Sequence, residues 1–169
     1  MGLIFDLDLT LIDSSIAEPY RNSRLWQSVY NLIPKFIPYP GIIESLHKFK
    51  EEGHQICIVT SSPSSYCERV LKHWNIPYDY TVCYHDTSNR KPYPDPIFKA
   101  LSLLNKPASK ALSFGDRDID IIASNKAGVA SVACLWGTKD EDTLLVSKPT
   151  HSIKSSEELV KLVQKFYSV

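Results

Sequence analysis

Leu3-Ile4-Phe5-Asp6-Leu7-Asp8-Leu9-Thr10 decides how this chain is read. Three apolar residues run straight into two carboxylates separated by one leucine, and Leu11-Ile12 follow. A short continuous apolar run fits a strand covered on both faces, so Asp6 and Asp8 stand where that strand ends. A carboxylate half removed from water is costly without a partner. Two so close repel each other and call for a cation, a raised pKa, or both.

Outward from this stretch, further apolar runs at 56–60, 80–84, 111–114 and 130–135 read as buried strands. Helical patterns lie between them. Residues 42–52 repeat apolar positions at Ile42, Ile43, Leu46 and Phe49 and stop at Gly53. Residues 64–74, 96–104 and 119–127 give further helices, and Ser155-Ser156-Glu157-Glu158 opens a last one with a Leu159, Leu162, Val163, Phe166 stripe. Strands alternating with helices predict an α/β fold with a doubly wound parallel sheet. Residues 14–40 break the rhythm: this insert carries Tyr20, Trp26, Tyr30, Phe36 and Tyr39 among four prolines, and 19–33 reads as one helix.

The chain has 169 residues, enough for a single domain over 1–169 with one core. Its 19 basic and 19 acidic residues balance, so no basic excess points to nucleic acid. No apolar stretch reaches membrane-spanning length, and Asp6 and Asp8 interrupt any signal-like start. Cys57, Cys67, Cys83 and Cys134 form no CxxC pair, and all but Cys67 sit in apolar runs; the expectation is a reduced, cytoplasmic protein. His47, His54, His73 and His151 read as surface or helix-end histidines without ligand spacing.

In an open α/β sheet, ligands bind beyond the carboxyl ends of the strands. There the sequence places Asp6, Asp8 and Thr10 after the first strand, Thr60, Ser61 and Ser62 after the second, and Lys91 past the third. Gly115, Asp116 and Asp120 follow the fourth. Four carboxylates and one ammonium leave net negative charge, which a hard divalent cation with oxygen ligands offsets; Mg²⁺ is the natural choice. Cation, lysine, hydroxyls and backbone N–H groups together suit a phosphoryl group. One acid is then free to attack phosphorus while its neighbour transfers a proton.

The arrangement resembles the haloacid dehalogenase-like hydrolases, and within them the phosphatases. Asp6-Leu7-Asp8-Leu9-Thr10 is similar to the family's DxDxT motif, Thr60 to its second motif, Lys91 in Lys91-Pro92-Tyr93-Pro94-Asp95-Pro96 to the third, and Gly115-Asp116-Arg117-Asp118-Ile119-Asp120 to the GDxxxD fourth. The KPYPDP segment and Trp136-Gly137 are most similar to the phosphoglycolate-phosphatase-like branch. The resemblance implies a five-stranded sheet ordered 5-4-1-2-3. It implies Asp6 as nucleophile and Asp8 as general acid and base. Mg²⁺ falls to Asp6, the Asp8 backbone carbonyl, Asp116 and Asp120, and the phosphoryl oxygens to Thr60, Ser61 and Lys91. Arg117, His85 and Trp26 are candidate substrate contacts. An acid at Asp8 suits phosphate ester hydrolysis, whose leaving oxygen needs a proton.

Alone, each motif is a common turn or helix cap; four in order, each just past a strand, make a joint match. Leu9 stands where many members have glycine, Ser61 where asparagine is common, and Arg117 where serine or threonine is common. The insert 14–40 is too short for the helical cap domain of this branch. Two expectations follow: an open site taking a bulky or macromolecular phosphorylated substrate as well as a small one, or a homo-oligomer in which a second copy closes the site. A phosphotransferase or mutase, and a phosphate-binding regulatory protein with weak turnover, stay open beside the phosphatase reading.

Overall fold

The computed structural model describes residues 1–167. In chain order the elements are β1 (Gly2–Phe5), β2 (Ile12–Asp13), α1 (Glu18–Asn22), α2 (Trp26–Leu32), β3 (Ile37–Pro38), α3 (Ile42–Glu51), β4 (Gln55–Val59), α4 (Ser64–His73), β5 (Tyr80–Val82), α5 (Asp95–Leu104), β6 (Ala111–Gly115), α6 (Asp118–Lys126), β7 (Ala130–Cys134), α7 (Glu141–Val146), β8 (His151–Ile153) and α8 (Ser156–Tyr167). The main sheet has six strands in the order β5-β4-β1-β6-β7-β8, each pair parallel. This is the expected α/β class, and the five expected strands take the expected order.

The sixth strand corrects the expected count. β8 extends the sheet beside β7, with Ile153 opposite Cys134. His151 and Ser152 are polar, and only Ile153 is buried. A short edge strand of this kind carries none of the continuous apolar signal of a central one.

β1 is central, and its register sets the site. Phe5 lies opposite Ile58 of β4 and Phe114 of β6, and the Phe5 and Phe114 rings stack with centroids 4.5 Å apart. Alternation along β1 sends Leu3 and Phe5 to one face and Ile4 to the other. The first face packs with Leu46 and Phe49 of α3, Cys67 and Val70 of α4, and Leu159 and Val163 of α8. The second packs with Ile97, Ala100 and Leu104 of α5 and Ala123 of α6. With both faces covered, β1 is buried along its whole length and meets the cleft only beyond its carboxyl end.

The stretch expected as one helix over 19–33 is two. α1 and α2 part at 23–25, where Arg24 takes a left-handed φ of 57° and the Leu25 N–H returns to the Tyr20 carbonyl at 2.9 Å. Non-glycine residues rarely adopt that conformation, and it ends a helix. Val29, Ile33 and Phe36 are buried in the core beside Tyr66, and Trp74 Nε1 donates to the Ile33 carbonyl at 3.1 Å. β3 returns antiparallel to β2, with Ile12 opposite Pro38. His54, expected at the surface or at a helix end, follows the end of α3 but is only 3% exposed and packs edge-on against Phe49 at 6.0 Å; the Gly53 turn folds it inward.

Candidate active site

Asp6 leaves the central strand with its N–H donated to the Phe114 carbonyl at 3.0 Å, so the backbone of β6 fixes where its side chain starts. Lys91 Nζ donates to Asp6 Oδ1 at 2.7 Å, to Asp120 Oδ1 at 2.6 Å and to the Val59 carbonyl at 3.0 Å. All three donors of the ammonium are thereby used. Asp116 Oδ1 accepts from Thr10 Oγ1 at 2.8 Å. One carboxylate oxygen from each of Asp6, Asp116 and Asp120 lies within 4.8 Å of the others. Asp120 Oδ2 accepts from the Arg117 N–H at 3.1 Å at the start of α6, so both Asp120 oxygens are engaged.

The cluster is buried: Asp6 is 5% exposed, Lys91 8%, Asp116 1% and Asp120 3%. Burial pushes the Asp6 carboxyl up to about 6, opposed by Lys91 and reinforced by Asp120. Burial, then Asp6 and Asp120, push Asp116 up to about 8. Burial alone would lower the Lys91 ammonium, but its ion pairs with Asp120 and Asp6 outweigh that and raise it. Three carboxylates around one ammonium thus retain unbalanced negative charge in a dry place. Converging hard oxygen donors with surplus charge are what a small divalent cation accepts.

Thr60 is 5% exposed. Its Oγ1 accepts from the Ser62 N–H at 3.1 Å, which leaves its own proton for donation. Ser61 and Ser62 line the same cavity, of about 370 Å³, together with Asp6, Asp8 and Asp116. Arg117, His85 and Trp26 also line it. Lys91 and Asp120 sit beneath it and act through their bonds to Asp6 and to each other.

The Asp8 carboxylate stands apart from the other three. Its Oδ1 accepts from Ser14 Oγ at 2.5 Å and from the Tyr66 hydroxyl at 2.5 Å, and pairs with Arg21 at 3.1 Å. None of these three partners was singled out from the sequence. Arg21 and Ser14 belong to the insert and Tyr66 to α4, none within a recognisable motif.

Two residues late in the chain shape the loop after β1. Leu9 has a left-handed φ of 63°, the conformation that glycine would adopt without strain. Trp136 Nε1 donates to the Thr10 carbonyl at 2.9 Å. A Cβ on Gly137 would lie 1.6 Å from the Leu9 carbonyl oxygen, so only glycine fits there. The Trp136-Gly137 pair therefore clamps the turn that carries Asp8. Gly115 plays a like part on the other side, since a Cβ there would lie 2.3 Å from Asp120 Cβ.

Residues 21–134 match the sequence profile of the haloacid dehalogenase-like hydrolases. The chain belongs to this family. Among relatives of this chain, a protein of Caldanaerobacter subterraneus subsp. tengcongensis that carries the name pyrophosphatase PpaX is 37% identical over 123 residues, covering 72% of this chain and 56% of the relative. The chain thus spans little more than half the length of that relative. A hydrolase from Pseudomonas syringae superposes with a TM-score of 0.83 at 20% identity, covering 98% of both chains. A Lactobacillus plantarum structure named a phosphoglycolate phosphatase gives a TM-score of 0.84 at 20% identity, over 95% of this chain and 98% of that one. These two likenesses bear on the fold alone. Among the described residues, no helix is long and apolar enough to cross a membrane.

Proposed function

We propose that this haloacid dehalogenase-like hydrolase is a Mg²⁺-dependent phosphatase that cleaves a small phosphate monoester through an aspartyl-phosphate on Asp6. The observation that carries this reading is Lys91, buried and bonded to both Asp6 and Asp120, beside Asp116 and at the floor of a cavity lined by Thr60. Mg²⁺, held by Asp6, the Asp8 backbone carbonyl and Asp116 with Asp120 in support, would offset the buried charge and orient the phosphoryl oxygens. Surplus negative charge on three converging carboxylates supports that fit.

The chain's own residues supply the rest. Asp6 attacks phosphorus; the bond to the leaving oxygen breaks, and that oxygen takes its electron pair and a proton from Asp8. Asp8 then removes a proton from water as the water oxygen bonds to phosphorus and the Asp6–phosphorus bond breaks. Thr60 and Ser61 hold phosphoryl oxygens, and Lys91, through its bond to Asp6, keeps Asp6 from repelling the incoming anion. Residues 14–40 serve as a minimal cap within one domain: Arg21, Arg24 and Trp26 line the cavity, whose volume suits a metabolite rather than a protein segment. The four buried thiols fit a reducing, cytoplasmic setting.

A second reading has inorganic pyrophosphate as substrate. The name pyrophosphatase PpaX on the similar relative favours it, as do Arg24 and Arg117 at the cavity, which suit a second anionic group. Phosphate release from a panel of phosphorylated metabolites, pyrophosphate and an aryl phosphate, with Mg²⁺ and with EDTA, separates the two. No release from any of them overturns both.

A further inference from the structure

The two oxygens of Asp8 have unequal surroundings. Oδ1 is held by Ser14 Oγ at 2.5 Å, the Tyr66 hydroxyl at 2.5 Å and Arg21 NH1 at 3.1 Å. Among the described residues, Oδ2 has only Ser62 Oγ, at 3.4 Å. A carboxylate oxygen offers about two lone-pair sites, so the Ser14 and Tyr66 hydroxyls fill Oδ1 and leave no room for a reacting proton, with the Arg21 charge paired beside them. The donors also bind one another. Arg21 NH1 donates to the Ser14 carbonyl at 3.2 Å, to Ser14 Oγ at 3.0 Å and to the Tyr66 hydroxyl at 3.3 Å, and its charge lies 5.8 Å from the Tyr66 ring centroid.

We infer that Arg21 and Tyr66 are positioning residues that anchor Asp8 through Oδ1 and leave Oδ2 as the oxygen that exchanges protons with the leaving group and with water. This rests on the proposed role of Asp8 and adds to it the part played by the insert. Arg21 belongs to α1 and Ser14 opens the insert, so the insert reaches the chemistry through these two side chains as well as by walling the cavity. Tyr66 is fully buried, with Trp26 of the insert 5.9 Å away and Phe36 6.5 Å away. The packing of the insert thus fixes the hydroxyl that fixes Asp8. An anchored carboxylate needs no reorientation at the moment of reaction, which is where much of the value of a placed acid lies.

The test compares two leaving groups. A simple alkyl phosphate needs a proton on its departing oxygen; a dinitrophenyl phosphate, whose phenolate is stable, does not. The readout is kcat/KM with Mg²⁺, which stops at departure of the first product. Arg21→Ala and Tyr66→Phe should each lower kcat/KM on the alkyl ester by about 10- to 100-fold more than on the aryl ester, within the range of general acid catalysis. Arg21→Lys should recover part of the loss. Far-ultraviolet circular dichroism confirms that each variant is folded, and Tyr66→Phe keeps the ring that fills the core.

Equal losses on both esters, or none, overturn the inference. Asp8→Asn in the same assay keeps its failure apart from that of the mechanism. If Asp8→Asn discriminates between the esters and the Arg21 and Tyr66 variants do not, the anchoring idea is wrong while the role of Asp8 stands. If Asp8→Asn itself does not discriminate, the role of Asp8 is wrong.

Discussion

At the floor of the cleft, Asp6, Lys91, Asp116 and Asp120 are at most 8% exposed and bonded to one another, to Thr10 or to strand backbone. In the insert that walls the same cleft, Ile16, Tyr20, Leu25 and Ile37 are 40–66% exposed, and the chain turns through two short helices. The floor hangs from the carboxyl ends of parallel strands whose register fixes each side chain. The wall rests on a few anchors: Val29, Ile33 and Phe36 in the core, the Trp74 bond to Ile33, and Arg21. Precision at the floor comes from the sheet and at the wall from individual side chains, so substitutions in the two regions should fail differently.

The largest effects belong to the floor. Asp6→Asn should reduce phosphate release by on the order of 10⁴-fold or more, as loss of a nucleophile does elsewhere; retained activity would remove Asp6 from the chemistry. Lys91→Ala should lose activity and also about 3–5 kcal/mol of stability, because two buried carboxylates lose their cation. Urea denaturation measures that cost. A loss below about 1 kcal/mol would mean that the floor is less tightly coupled than its hydrogen bonds indicate.

Next comes the loop that joins floor to wall. Gly137→Ala should displace the turn at Leu9, since the new methyl would meet the Leu9 carbonyl oxygen at 1.6 Å. Overpacking of that kind costs about 1–3 kcal/mol, and here it should also lower turnover by moving Asp8. Thermal melting and phosphate release on the same sample check both. Trp26→Ala then probes the wall, together with its packing on Tyr66. It should raise KM several-fold with a smaller change in kcat, because Trp26 lines the cavity while the floor stays in place. A kcat loss as large as that of Asp6→Asn would erase the distinction between the two regions.

The same contrast governs how much was legible in the sequence. Asp6, Thr60, Lys91, Asp116 and Asp120 converge in the structure because each follows a strand or sits in a motif of fixed spacing; alternating elements predict the α/β class, and the strand order is what the family resemblance implies. Leu9 was noted as standing where glycine is common, and its left-handed φ shows what that position demands. β8 was missed because an edge strand needs only one buried residue, and the break at 23–25 because a left-handed arginine has no signature in composition. Arg21, Ser14 and Tyr66 were missed because nothing in their spacing announces Asp8: they meet it through the packing of the insert on α4. Sequence pattern records what a sheet repeats and leaves out what one packed side chain decides.

The smallest expected effect lies away from both regions and separates folding from chemistry. Burial, then the charge of the nearby amino terminus, lowers the His54 imidazole below its ordinary 6.5, with Glu52 opposing. Above that value the ring is neutral in both the folded and unfolded chain and contributes no slope. As pH falls through 6.5 the unfolded chain takes up the proton first, so stability should decline until the folded pKa is passed as well. His54→Gln should flatten that part of the profile relative to the parent chain, at fixed Mg²⁺ and ionic strength, while the pH dependence of kcat stays where it was. The difference between the two urea-denaturation profiles isolates this residue from the floor carboxylates, whose raised pKa values act in the opposite sense. If the variant instead moves the kcat profile, the acid limb of turnover reports loss of the fold, and the floor cannot be read from activity at low pH.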